Sequence, residues 1–337
     1  MIFSRKKKAK SVDDLYAQIG ELTESNRIDR DPTKERQIRQ LRHLAGVEMV
    51  NADTPVPSYA APAAAPPARN PETKLAEVSL DELTPEVLRA AILDSGSLLV
   101  RSAMGEESAL ELADEIDRSF ATRAGLKGTG GGDPEGYYDE FEPEDPYAVH
   151  KRDWIEEGGG VLAADSPRVF AEMLEAFSRM NLTNVIEGYL GERPAVSADK
   201  CTLRKAMPDV VGAWHQDGKF MGDDIRAMNV WLSLSHCGTG NPAPGMDLVP
   251  LRLHGHVAAG TEGTWFDSQV SQAVAEETAG EIGIVRPAFG PGDLLLFDEY
   301  YLHQTGGGPG LTEPRYAIES WFFGPSSYPE IYVPLAP

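Results

Sequence analysis

From residue 195 onward the chain breaks into short, largely apolar runs separated by Gly and Pro, and this spacing limits the fold more than any other feature of the sequence. The runs fall at 195–204, 210–214, 227–234, 246–253, 282–289, 293–297 and 315–323. Runs of that length bounded by breakers read as strands, and a series of them builds a sandwich or a closed double sheet. Helical periodicity lies ahead of them. Pro85 starts one helix with Val87, Leu88, Ala91 and Ile92 as its buried stripe, and Gly96 ends it before a strand at 97–100. A second amphipathic pattern covers 108–123, and the longest one covers 167–190 and is closed by Gly191.

The N-terminal part has a different character. Residues 11–50 carry Val12, Leu15, Ile19 and Leu22 on one stripe and Ile38, Leu41 and Leu44 on another, with a break at Asp31-Pro32, so a helical hairpin is one reading. A partly ordered tail that docks only in a homo-oligomer is the other. A Pro/Ala-rich stretch follows, too poor in large apolar groups to pack and suited to an extended polyproline form. The expected division is a helical extension over 1–50, a linker over 51–77 and a catalytic domain over 78–337. On that division a chain begun near Pro71 folds alone, and proteolysis cuts first between Thr54 and Asn70.

Charge and composition exclude several function classes. With 337 residues and 41% hydrophobic content the chain can bury one large core. A formal net charge of -22 argues against nucleic acid and anionic membranes as partners, because neutralising phosphates takes clustered Lys and Arg. The basic cluster Arg5-Lys6-Lys7-Lys8 has no long apolar run behind it, so it does not read as a secretory signal. Two cysteines, Cys201 and Cys237, read as ordinary core thiols of a reducing compartment. The expectation is a cytoplasmic protein.

The candidate chemistry centres on Trp214-His215-Gln216-Asp217. On a strand, residues two apart share a face, so His215 and Asp217 project together. A metal needs a third ligand, and His303, just past the apolar run 293–297, supplies it. Two histidines and a carboxylate leave three open positions on an octahedral ion, the arrangement of non-haem Fe(II) oxygenases. Beyond the glycine-rich turn 306–310 stands Arg315, at the start of an apolar run where an arginine is costly unless a carboxylate meets it.

Together, Trp214 to Asp217, the run Gly292-Asp293-Leu294-Leu295-Leu296-Phe297 before His303, and Arg315 about a dozen residues after it resemble the phytanoyl-CoA dioxygenase family of Fe(II)- and 2-oxoglutarate-dependent oxygenases. The resemblance spans roughly residue 83 to the C-terminus. It implies a mainly β fold with flanking helices and a double-stranded β-helix core, the cupin-like jelly roll. It implies Fe(II), 2-oxoglutarate and O2, with His215, Asp217 and His303 as ligands and Arg315 holding the far carboxylate of the co-substrate. Because Asp217 fills the place that related halogenases leave open for chloride, it implies hydroxylation or a similar oxidation.

Further residues join this set as candidates. Thr305, two residues past His303, either donates its hydroxyl to the carboxylate that Arg315 holds or is a plain turn residue. Lys200, Thr202 and Arg204 alternate on one strand and share a face turned either into the barrel or out to water, as Asn229 and Trp231 do on the next; the resemblance implies that such strands line the co-substrate or substrate pocket. Arg204 competes with Arg315 for the carboxylate. The glycines 128–132 lack the strand and lysine of a phosphate loop; with Tyr137, Tyr138 and Phe141 they form either a substrate lid or a solvated acidic loop. His254-Gly255-His256 offers a second His-x-His without a carboxylate partner. A coenzyme A thioester carries phosphates and no basic cluster stands ready for them, so a small metabolite is the expected substrate. Two alternatives share the fold: a non-catalytic jelly-roll module that keeps a metal or ligand, and a cupin enzyme that needs no 2-oxoglutarate.

Overall fold

The computed structural model describes residues 11–127, 133–150, 152–210, 212–222, 224–261 and 263–337. The basic cluster at 5–8 and the glycines at 128–132 lie outside the described residues. In chain order the elements are α1 (Val12–Ile28), α2 (Pro32–Val50), β1 (Glu77–Ser79), α3 (Pro85–Ser95), β2 (Ser97–Arg101), α4 (Glu106–Leu126), α5 (Arg152–Glu157), β3 (Gly160–Leu162), α6 (Pro167–Arg179), α7 (Leu182–Leu190) and β4 (Ala195–Ala206). They continue with α8 (Gly218–Met221), β5 (Ala227–Ser233), β6 (Gly245–Leu248), α9 (Gln272–Ala279), β7 (Leu294–Phe297), β8 (His303–Gly306), β9 (Arg315–Phe323) and β10 (Pro334–Leu335).

The main sheet runs β1-β2-β7-β5-β9-β4-β10, with β3 added beside β4, and a small second sheet pairs β6 with β8. Its central strands β5, β7 and β9 are antiparallel and buried on both faces. One face packs on α3, α4, α6 and α7 through residues such as Leu98, Val230, Ile318 and Phe322. The other face meets the small sheet through Trp231, Phe297, Trp321 and Met246. Helices on one side and a second sheet on the other are the layers of a cupin-like core, and the functional side chains stand between the two sheets.

Several local expectations are corrected. The helical pattern over 167–190 is two helices, α6 and α7, because Asn181 takes a left-handed conformation (φ 54°) that breaks the run after Met180. Residues 212–214 and 282–289 do not form strands; single bridges Trp214–Val270, Leu248–Val285 and Cys237–Phe289 hold them instead. Tyr137, Tyr138 and Phe141 are buried in the helix-side core, so they do not cover a pocket.

The hairpin α1–α2 forms as its stripes require. Ser11 caps α1, Asp31 caps α2 and Pro32 opens α2. It is seated on the rest of the chain by buried polar contacts. His43 Nδ1 donates to Pro334 O at 3.0 Å while its Nε2 accepts from Glu144 N at 3.1 Å. Arg39 donates to Ala164 O at 2.6 Å and to Asp139. The segment between the hairpin and β1 has little regular structure but is fastened, with Ala60 N bonded to Tyr189 O and Ala63 N to Glu86 O, both at 2.9 Å. Tyr59 is gripped between the Arg89 and Arg226 guanidinium groups, each 4.4 Å from its ring centre.

Gly46 is the tightest point of this seat, since a Cβ there would come within 2.7–2.8 Å of the Pro334 and Leu335 backbone. Backbone cannot rotate away, so Gly46→Leu is expected to cost about 1–3 kcal/mol by overpacking. The measurement is urea unfolding followed at once by far-ultraviolet circular dichroism and tryptophan fluorescence. A single transition shifted to lower urea is expected. An unshifted core transition would mean that the hairpin is a separable extension.

Candidate metal centre

The metal-ligand candidates are brought together by the backbone. His215 N donates to His303 O at 3.0 Å and His303 N donates to His215 O at 3.1 Å, a reciprocal bridge that sets the two imidazoles side by side with ring centres 4.4 Å apart. Each ring then turns its Nδ1 to a carbonyl two residues back, Ala213 O at 2.7 Å for His215 and Tyr301 O at 3.0 Å for His303. Those bonds fix the Nδ1–H tautomer and leave Nε2 as the free lone pair in both rings.

Asp217 arrives by a different route from the one its spacing implies. It does not continue a strand: its backbone is helical (φ -60°, ψ -33°) and caps the short α8, so the chain turns and swings the carboxylate toward His303. Asp217 Oδ2 lies 3.6 Å from His303 Nε2. The turn is braced by Gln216, a buried residue that the sequence reading passed over. Its side-chain amide donates to Tyr300 O at 2.6 Å and Gly255 O at 3.1 Å and accepts from Val257 N at 2.7 Å. Gly218 follows because a Cβ there would meet the Glu299 carbonyl and the His256 ring.

Ligand atoms of His215, Asp217 and His303 lie within 4.8 Å of one another, and among the described residues this is the one group of His, Cys, Asp and Glu so arranged. His256 is not part of it; its ring packs on Tyr300 at 5.2 Å. Burial, reinforced by neighbouring His215 and opposed by Asp217, pushes the His303 imidazole down to about 4. A neutral ring is the form that coordinates. Two neutral imidazoles and a carboxylate on one side of an ion suit a divalent transition metal with positions left open.

One cavity of about 810 Å³ holds the rest of the candidates: Lys200, Arg204, Thr305, Trp231 and Arg315 all line it together with the triad. Strand alternation explains the set. Lys200, Thr202 and Arg204 share one face of β4, Asn229 and Trp231 one face of β5, and Arg315, Glu319 and Trp321 one face of β9.

The two arginines differ in what they already hold. Arg204 grips Glu319 with two bonds, 3.1 Å from Nε and 2.7 Å from Nη2, and its Nη1 donates to Gly158 O at 2.6 Å. Arg315 is almost completely buried, donates once to Gly245 O at 2.8 Å, lies 3.8 Å from Glu319 and stacks 5.5 Å from the Trp231 ring. Its Nε has no partner, nor has Trp231 Nε1, nor Asn229 Oδ1. Burial pulls the Arg315 pKa down and Glu319 opposes this, whereas Arg204 holds the Glu319 carboxyl below its ordinary range. Buried donors left unsatisfied in a cavity mark a place that a ligand completes. Glu319 was missed in the sequence, although its i+4 position on the Arg315 strand puts it on the same face.

No family model matches the chain, and no curated protein matches it. Solved structures do. EctD from S. alaskensis, solved with 2-oxoglutarate and 5-hydroxyectoine, is similar at 18% identity over 78% of this chain and 84% of that one, with a TM-score of 0.50. The same protein solved with bound Fe gives 17% identity over 79% and 85%, again with a TM-score of 0.50. EvdO2 from Micromonospora carbonacea var. aurantiaca, complexed with 2-oxoglutarate, gives 14% identity over 74% and 91% and a TM-score of 0.44. The EctD likeness establishes the cupin-like fold expected from the strand pattern.

His215→Ala, Asp217→Ala and His303→Ala are each expected to abolish tight binding of one Fe(II) or Co(II) per chain while leaving the circular dichroism spectrum unchanged. Equilibrium dialysis under argon reads the stoichiometry. Full occupancy in all three variants would move the centre elsewhere.

Proposed function

We propose that this chain is an Fe(II)- and 2-oxoglutarate-dependent dioxygenase, of the kind the phytanoyl-CoA dioxygenase resemblance implies, which hydroxylates an aliphatic C–H of a small metabolite. The observation that carries the reading is the pairing, in one cavity, of a His/Asp/His ligand set with a buried arginine whose Nε is unpartnered. The likeness to EctD, solved with Fe and with 2-oxoglutarate, supports it. Iron(II) bound by His215, Asp217 and His303 supplies the activation of O2, coupled to conversion of 2-oxoglutarate to succinate and CO2, with the second oxygen atom going to the substrate alcohol.

The residues of the chain have defined tasks in this scheme. The two Nδ1–H to carbonyl bonds keep the imidazoles oriented through each turnover. Arg315 takes the far carboxylate of 2-oxoglutarate, and the Trp231 indole N–H and the Thr305 hydroxyl are further donors lining the same cavity. Glu319 leaves that subsite one net positive charge from Arg204 and Arg315, enough for one carboxylate. Phe220, Phe297 and Trp321 make its walls apolar and restrict water near the metal.

Protein mixed anaerobically with Fe(II) and 2-oxoglutarate is expected to show the weak visible charge-transfer band of a chelated 2-oxo acid. Metal binding without that band would favour a cupin enzyme that needs no 2-oxoglutarate. Arg315→Met is expected to raise the KM for 2-oxoglutarate steeply with iron affinity unchanged, since removing one partner of a buried charge pair costs about 2–5 kcal/mol. An unchanged KM would transfer the role to another residue.

A further inference from the structure

We infer that the outer half of the cavity receives a positively charged group, so that the substrate is a small molecule bearing an ammonium, quaternary ammonium, amidinium or guanidinium. This deepens the oxygenase reading and rests on it for the chemistry, though not for the binding. The inner end is spoken for by Arg315 and the metal ligands, and its unpartnered Trp231 Nε1 and Asn229 Oδ1 show a space shaped for a ligand. The mouth has a different character. Trp154 on α5 and Phe266 on the opposite loop both line the cavity, yet they are 56% and 64% exposed. Large aromatic faces grouped at the rim of a pocket are a mark of a ligand-binding groove.

Asp153 and Glu157 flank Trp154 on the same helix, line the same cavity and are exposed, and neither makes an ion pair among the described residues. Aromatic faces beside unpaired carboxylates attract a cation twice over, through the ring quadrupole and through Coulomb attraction. An anion would meet repulsion at the same place, and the formal charge of -22 extends that bias across the protein. The deeper wall fixes the direction. Lys200 holds its ammonium 3.9 Å from the Phe220 ring centre, and Phe220 stacks on His215. A second cation is disfavoured there, so the charged end stays at the lips and the uncharged part of the substrate extends toward the metal.

The test uses the full-length, metal-free protein and two probes of nearly the same shape, choline and its neutral analogue 3,3-dimethylbutan-1-ol, titrated by saturation-transfer nuclear magnetic resonance. Choline is expected to bind at least about threefold more tightly than the alcohol, the scale of a partly exposed cation–π contact. Trp154→Ala and the double variant Asp153→Asn/Glu157→Gln should each weaken choline by about the same factor, and the double variant should leave the alcohol unchanged. These side chains are exposed, so the substitutions do not threaten folding. Equal affinity for the two probes, no choline binding at tens of millimolar, or choline binding indifferent to both variants would overturn the inference. The readout needs neither iron nor 2-oxoglutarate. Choline binding without the visible band of the anaerobic Fe(II)/2-oxoglutarate mixture would therefore remove the oxygenase reading and keep the cation site, and that band without charge preference between the two probes would do the reverse.

Discussion

The reciprocal backbone bridge between His215 and His303 is the contact on which the rest of the centre depends. It joins a segment with no ladder of its own to the first residue of β8, and it does so at the two residues whose side chains must converge. Each imidazole is then oriented by a carbonyl from its own chain segment, so ring position and tautomer follow from the same local path. Asp217 completes the set only because the chain turns into α8 immediately afterwards, and the buried Gln216 amide holds that turn against the 255–257 and 300 backbone.

Charge is distributed through the cavity with the same economy. Arg204 and Glu319 neutralise each other across β4 and β9, and Glu319 also lies near Arg315. The result is one uncompensated guanidinium deep in an apolar pocket, beside an indole N–H that has no partner. Burying a guanidinium costs several kcal/mol in most settings, and here a Glu319 shared with Arg204 and the Gly245 carbonyl offset it in part. Asp153 and Glu157 line the same cavity from α5 and are exposed.

Much of this was legible in the sequence, for physical reasons that differ from residue to residue. The ligand types and Arg315 stood out because a histidine, a carboxylate and an arginine next to apolar strands need partners. Alternation put Lys200 and Arg204 on one face of β4 and Trp231 on one face of β5 but left open which way those faces turn; the β5 ladder is regular, and the β4 ladder is regular from Cys201 onward. The route of Asp217 was not legible, because strand geometry and a helical turn can both bring residues two apart to one ion. Residues 282–289 resembled a strand in their apolar content but met their partners only at the single bridges Val285–Leu248 and Phe289–Cys237, and Tyr137, Tyr138 and Phe141 resembled a lid in their setting but found the core. Glu319 and Gln216 act through tertiary contacts to β4 and to two distant loops, which local pattern does not encode.

The central claim is that one set of residues holds iron and 2-oxoglutarate at once. A crystal structure of the protein grown anaerobically with Fe(II) and 2-oxoglutarate tests it most directly. The account predicts one ion bonded to His215 Nε2, Asp217 and His303 Nε2, with 2-oxoglutarate chelating it and its far carboxylate on Arg315. An ion bound elsewhere, or a co-substrate carboxylate seated on Arg204 with the Arg204–Glu319 pair broken, would contradict it.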